Sequence, residues 1–258
     1  MANAKNYLSK IPLGNNKFAY EQVPEFKESG LLYKAKIEGR WTAPEHFYHL
    51  KDGGHVAALT KHLQNDMFSK IDLSRLFYRV TKNKIIRSLK RTGLPFQECL
   101  EIAADSVVKT ENGFSLLYGF VQSPLLASIA LHFSGLGKFL TELPSEILVS
   151  VYVDDIILSS NGNRELLQDK SSALLASASK AGFPTNSEKC ELVSSQIETF
   201  NVKLSNQNLW LTDDRMVEFH GFLRAAPSDT QIQGVLGYVG QINQDQMADL
   251  GKTAAKYK

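Results

Sequence analysis

Apolar residues follow one another almost without a break in Glu146-Ile-Leu-Val-Ser-Val-Tyr-Val-Asp-Asp-Ile-Ile-Leu-Ser-Ser160, interrupted only by Asp154 and Asp155. The run predicts two short strands meeting at a turn that carries both acids. Met67 to Asp72 predicts another strand, which gives way to a helical turn with Phe77 five residues on. Leu31 to Trp41 predicts a strand, a turn at Glu38-Gly39 and a returning strand.

Helical spacing recurs in Val56 to Leu63, Thr81 to Arg91, Phe96 to Lys109, Leu125 to Phe139, Arg164 to Gly182 and Asp229 to Ile242. Pro124 suits the first turn of its helix, and Gly182 a helix stop. Cys99, Ile102, Ala103 and Val107 form one core stripe; Leu166, Leu167, Leu174, Leu175 and Ala178 form another. Asn112-Gly113 marks a turn, and Ser194 to Lys203 and Leu209 to Thr212 read as strands. Residues 1–30 show little periodicity, and the polar C-terminal residues are expected to fray. Helices and strands are interspersed along the chain.

The chain has 258 residues, 43% of them hydrophobic, enough for a substantial core. A net charge of +2 neither demands nor excludes nucleic acid, so the distribution must decide. Lys82 to Arg91 carries Lys82, Lys84, Arg87, Lys90 and Arg91 without an acid. It is either a phosphate-facing helix or a solvated basic face. Cys99 and Cys190 lack zinc-site spacing and no signal peptide is evident, so a reducing, cytoplasmic setting is expected. No apolar run approaches the ~18 to 20 residues that cross a bilayer, so no membrane partner is expected.

Two adjacent carboxylates in an apolar run repel one another and resist desolvation, which makes sense if a divalent cation sits there. Mg²⁺ or Mn²⁺ takes carboxylate oxygens and completes its shell with water and phosphates, pointing to phosphoryl or nucleotidyl transfer. A solvated hairpin tip that happens to read Asp-Asp is the bland alternative.

Read in order, the motifs are more specific than any one of them. An Asp after an apolar strand with an aromatic five residues on, Gly119-Phe-Val-Gln-Ser-Pro124 opening a helix, Tyr152-Val-Asp-Asp155, and Gly182-Phe-Pro-Thr-Asn-Ser-Glu-Lys189 together resemble the palm of reverse transcriptases. The likeness spans roughly residues 34–203 and is nearer to bacterial group II intron, retron and phage-defence enzymes than to retroviral ones. It implies a right-hand polymerase of α+β class, with an antiparallel palm sheet packed on helices. The implied divisions are fingers at 1–66 and 84–115, palm at 67–83 and 116–203, and a short thumb or C-terminal region at 204–258.

The resemblance further implies that Asp72, Asp154 and Asp155, with the carbonyl of Leu73, hold two Mg²⁺ ions, Mn²⁺ being an alternative. Phe77 would be the sugar gate against a 2′-hydroxyl. Lys36 and Arg40 would grip the triphosphate from the fingers, Lys189 would sit near it, and Tyr118, Gly119 and Gln122 would lie beside the new base pair. Template RNA, a DNA or RNA primer and dNTPs are the implied partners, with a second polymerase subunit or another copy of the chain as a further candidate. A role in antiviral defence is the biological expectation.

The chain departs from the family where many members read Pro-Gln-Gly. Here the residues are Leu117-Tyr118-Gly119, and the primer-grip signature is reduced to Phe200-Asn-Val202. A non-catalytic nucleic-acid-binding subunit and an RNA-synthesising or template-independent polymerase are the competing readings.

Overall fold

The computed structural model describes residues 6–14, 17–110 and 113–257. In chain order the elements are β1 (Tyr7–Gly14), β2 (Lys17–Gln22), α1 (Pro24–Glu38), α2 (Gly54–Thr60), β3 (Met67–Asp72), α3 (Leu76–Arg79), α4 (Lys82–Arg91), α5 (Phe96–Ser106), β4 (Val108–Thr110), β5 (Gly113–Ser115), α6 (Ser123–His132) and α7 (Gly135–Thr141). They continue with β6 (Leu148–Tyr152), β7 (Asp155–Ser160), α8 (Arg164–Lys180), β8 (Glu191–Ser194), β9 (Gln196–Thr199), β10 (Val202–Ser205), β11 (Asn208–Leu211), α9 (Asp213–Arg224), α10 (Asp229–Ile242) and α11 (Gln244–Tyr257).

The centre is an antiparallel sheet in the order β6-β7-β3-β8, packed on helices. Strand β7 is buried on both faces, which is why its sequence is a continuous apolar run rather than an alternation. Ile156 and Leu158 enter the larger core, with α4, α5, α6 and α8, while Ile157 joins a second core with the C-terminal helices. Burying a Leu- or Ile-sized side chain contributes roughly 1.5–3 kcal/mol, so this strand is strongly anchored. The expected hairpin, helix α8 and basic helix α4, capped by Thr81 onto the Lys84 N–H, form as their patterns predict.

Five expectations need correction. Ser194 to Lys203 is not one strand: it holds the end of β8, then β9, a turn at Phe200-Asn201 and the start of β10. Leu31 to Trp41 is not a hairpin: it belongs to α1, which opens with Pro24 at its first turn and stops at Gly39. Gly30 and Ile37 point inward seven residues apart, a helical period, while Leu31 and Leu32 stay exposed. The hairpin lies instead in β1–β2, within the stretch that showed little periodicity. Leu125 to Phe139 is interrupted, because the Ser134 side chain caps Gly137 N and starts α7 afresh. The C-terminal residues form α11, anchored by buried Leu250 and Ala254, rather than fraying. The Phe96 helix ends at Ser106 and its expected last residues become β4; Asn112, of the Asn112-Gly113 turn, lies outside the described residues.

Candidate active site

Strands β3 and β7 set the acids side by side. Asp72 ends β3, Asp155 begins β7, and the two are register partners in the antiparallel ladder. Like charges placed directly opposite are unfavourable. Asp154 occupies the two-residue turn between β6 and β7, and its carbonyl accepts from Leu73 N–H at 2.8 Å, joining the turn to the end of β3. Burial, then the Asp154 charge, pushes the Asp155 carboxyl up to about 7. Burial also raises Asp154, aided by Asp72, with Lys17 and Lys189 pulling the other way.

The turn itself is strained. Val153 adopts φ 58°, a left-handed conformation unfavourable for a β-branched residue and of order 1–3 kcal/mol in cost. It is held by His49, whose Nδ1 accepts from Val153 N–H at 3.0 Å. An N–H can only donate, so Nδ1 is unprotonated and the proton lies on Nε2, 2.6 Å from Ser128 Oγ. Ser128 in turn donates to the Pro124 carbonyl at 2.8 Å. Burial holds His49 down to about 4, so it stays neutral in this role.

In front of the turn is a cleft of about 370 Å³ whose wall includes Phe77, Tyr118, Gly119, Asp154, Asp155 and Phe200. Phe77 and Tyr118 meet edge to face at 4.6 Å. Tyr118 lines the cleft while also packing against the main core, and its phenol is raised by burial and by Asp154. Gly119, at φ 103°, packs so tightly on the Tyr20 backbone that a Cβ would collide with it; its close approach is to β2. On the other side, Asn186 N–H donates to the Asp72 carbonyl at 2.9 Å, and Lys189 Nζ lies 3.7 Å from Asp72 Oδ2.

Three residues stand elsewhere. Lys36 pairs with Glu98 at 2.6 Å and Arg40 donates to the Gly93 carbonyl at 3.1 Å, both against the α4–α5 side because their segment is helical. Gln122 is fully buried, accepting from Gln22 Nε2 at 3.2 Å and donating to Ser106 Oγ at 3.1 Å. A buried amide committed to those partners is a structural tie, not a wall of the cleft. The cation that faces the acids from the hairpin is Lys17, on β2, which lies 6.0 Å from the Tyr118 ring centroid. The run Gly14-Asn-Asn-Lys17 carried a turn signal that could have located it.

A family model for reverse transcriptase (RNA-dependent DNA polymerase) matches residues 16–223. The chain belongs to this family. No match is found among curated proteins. Among solved structures, a telomerase from Candida albicans in complex with a telomeric RNA fragment superposes with TM-score 0.58 at 12% identity, over 90% of this chain and 46% of that one. An RNA polymerase complex inside a double-stranded RNA virus gives TM-score 0.52 at 13% identity, over 99% and 26%. A foamy viral protease–reverse transcriptase with double-stranded DNA gives 0.47 at 20% identity, over 88% and 34%. The chain thus spans less than half of each of these longer proteins.

The residues suit a divalent ion of the kind this family uses. The candidate donors are hard carboxylate oxygens, and the raised carboxyls mark a site where added positive charge would relieve repulsion. Among the described residues, no three His, Cys, Asp or Glu side chains form a ready-made cage. Mg²⁺ normally takes only one or two protein carboxylates and fills its shell with water and substrate phosphates, so the open arrangement fits. No helix among the described residues is long and apolar enough to cross a membrane.

Proposed function

We propose that the chain is an RNA-directed DNA polymerase that adds deoxynucleotides to a primer 3′-hydroxyl. The observation that carries this reading is the placement of Asp72, Asp154 and Asp155 at one strand end beside a cleft walled by Phe77 and Tyr118. Residues 116–203 with 67–83 would be the palm, β1–β2 part of the fingers, and α9 to α11 the short thumb.

Asp72, the Leu73 carbonyl, Asp154 and Asp155 would hold two Mg²⁺ or Mn²⁺ ions, which when bound would favour ionisation of the primer 3′-hydroxyl and balance charge on the leaving pyrophosphate. The rest is the work of the chain. His49 fixes the turn so that the two carboxylates are presented together. Phe77 would crowd the sugar at C2′, with the Tyr118 ring packed against it at 4.6 Å. Lys17 and Lys189 flank the acids on opposite sides and would attract the triphosphate. Tyr118, replacing the amide common in the family, offers a ring for stacking, worth roughly 1–3 kcal/mol per base with little sequence preference.

Purified protein incubated with Mg²⁺ or Mn²⁺, primed RNA or DNA and either nucleotide set, followed by product sequencing, tests the reading. Templated extension with dNTPs is expected. Extension with rNTPs alone would replace it by RNA synthesis, and no incorporation under any condition would leave a binding subunit. Replacing Phe77 with Ala should raise ribonucleotide use roughly 10- to 200-fold relative to deoxynucleotide, the range set by shape discrimination in a pocket.

A further inference from the structure

Residues 73–97 contain seven cations and no carboxylate, leaving the rest of the chain net acidic. Helix α4 turns Ile85 and Leu89 into the core and holds Lys84, Arg87 and Arg91 around a second cavity of about 370 Å³, shared with Phe133 and Ser134 at the α6–α7 junction. This cavity has no wall in common with the cleft. The Arg91 guanidinium lies over the Phe133 ring at 4.6 Å, and Lys84 Nζ over Phe183 at 4.1 Å. Among the described residues no carboxylate pairs with Arg79, Lys84, Arg87 or Arg91. Lys84 is pushed below the usual lysine range by burial and then by the Arg87 and Arg79 charges, as expected of a crowded patch without a counter-ion.

The patch connects to the acids through one loop. Lys84 donates to the Ala181 and Gly182 carbonyls, and a few residues on, Pro184 accepts from Ser74 N–H and Asn186 donates to Asp72. Along a helix, Lys84 to Arg91 spans roughly 10 Å, about three phosphates of a stacked strand at ~3.4 Å each. One line of cations with a guanidinium on an aromatic face suits one strand whose bases are free to stack.

We propose that the α4 face is a second nucleic-acid contact surface, which takes the phosphates of single-stranded template lying outside the cleft. The identity of the strand rests on the polymerase reading; the surface itself rests on the charge distribution and the cavity.

The experiment measures equilibrium binding by fluorescence anisotropy, without nucleotide or metal, to a primer–template with a template extension of about 12 nucleotides and to the same duplex with flush ends. Arg87→Ala/Arg91→Ala should weaken binding of the extended substrate roughly tenfold at low salt, and lower its salt slope by about 1.4, two single-strand contacts' worth. Flush-ended binding should stay as in the parent, and Arg87→Lys/Arg91→Lys should retain most of the affinity because the charges remain. Thermal unfolding of each variant verifies that it is folded. Unchanged affinity and slope in a folded variant, or equal losses on both substrates, would overturn the surface. If the overhang effect is absent while metal-dependent nucleotide addition persists, this inference alone fails; if addition is absent while the overhang effect persists, only the catalytic reading fails.

Discussion

Two hairpins of similar length adjoin at the cleft, and their turns carry different chemistry. In β6–β7 the turn is Val153-Asp154; in β9–β10 it is Phe200-Asn201, with Tyr152 and Phe200 in ring contact at 5.1 Å. Both turns use positive φ: Val153 at 58°, Phe200 at 55° and Asn201 at 58°. In β9–β10 the two consecutive left-handed residues match the turn that two-residue hairpins prefer, and Phe200 packs against Tyr152 and His55. In β6–β7 the strained Val is followed by two acids with raised carboxyls and held by a partly buried neutral imidazole. A strained turn alone says little; strain together with crowded carboxylates and a side chain that supports the turn is what the proposed catalytic reading rests on.

The strongest way to break that comparison is to remove charge from one turn and polar character from the other. Asp154→Asn should lower nucleotide addition by roughly 10²–10³ or more, the scale of removing a preorganised charge partner from a transition state. Without metal its thermal stability should be equal or higher, since repulsion is relieved. Asn201→Gly, at a position where glycine is conformationally suited, should leave addition within a few-fold of the parent. Substantial synthesis by Asp72→Asn/Asp154→Asn would refute the assignment of the acids.

A second contrast lies in the stems. His62, buried beneath β6–β7, has Nδ1 2.6 Å from Ser159 Oγ and Nε2 2.8 Å from Ser150 Oγ. Burial holds it down to about 3. Its folded pKa is therefore below the unfolded value near 6.5, so the unfolded chain binds the extra proton and stability falls as pH drops from about 6.5 toward 3. Asp155 acts in reverse, because its raised carboxyl binds a proton more readily in the folded state. Subtracting His62→Gln from the parent isolates the imidazole. The difference between their unfolding free energies should change by about 1.4 kcal/mol per pH unit below pH 6.5, a few kcal/mol in all by pH 4. A pH-independent difference in chemical denaturation would mean that His62 titrates normally.

At the turn, His49→Ala removes the acceptor for Val153 N–H. A partly buried donor left unpaired costs up to about 1–3 kcal/mol, which in a chain of this size shifts Tm by roughly 2–4 °C per kcal/mol. Addition should fall with it because Asp154 is no longer held. His49→Gln, which can present an oxygen to the same N–H, should restore part of both. An Ala variant with parental Tm and rate would show that the turn supports itself.

What the sequence disclosed follows from these forces. The acidic turn was legible because a strand buried on both faces reads as a continuous apolar run, in which two Asp stand out. Asp72 was expected where a strand ends, and it ends β3, whereas the role given to Phe77 came from the family resemblance. Lys36 and Arg40 were misplaced because α1 exposes Leu31 and Leu32, so the local pattern imitated a strand, while the buried residues Gly30 and Ile37 lie two helical turns apart, beyond the reach of that pattern. Hairpin β1–β2 left little signal because Leu8, Ile11 and Leu13 are all exposed. His49 and Gln122 owe their roles to contacts about a hundred residues away, such as Val153 N–H and Gln22, which no local pattern encodes.

The smallest expected effect is the sharpest test of strain. Val153→Gly relieves a left-handed β-branched residue, a gain of order 1–3 kcal/mol, but loses the contacts of a partly buried side chain and adds backbone freedom to the unfolded chain. These terms are of similar size and opposite sign, so stability should stay within about 1 kcal/mol of the parent. Phe200→Gly meets the same relief of φ but surrenders an aromatic ring that contacts Tyr152 and His55, so its balance should be clearly unfavourable, by roughly 2–4 kcal/mol. Denaturant midpoints of the two variants measured side by side decide the matter. Equal losses would mean that Val153 is not strained in solution and that the two turns differ only in their charges.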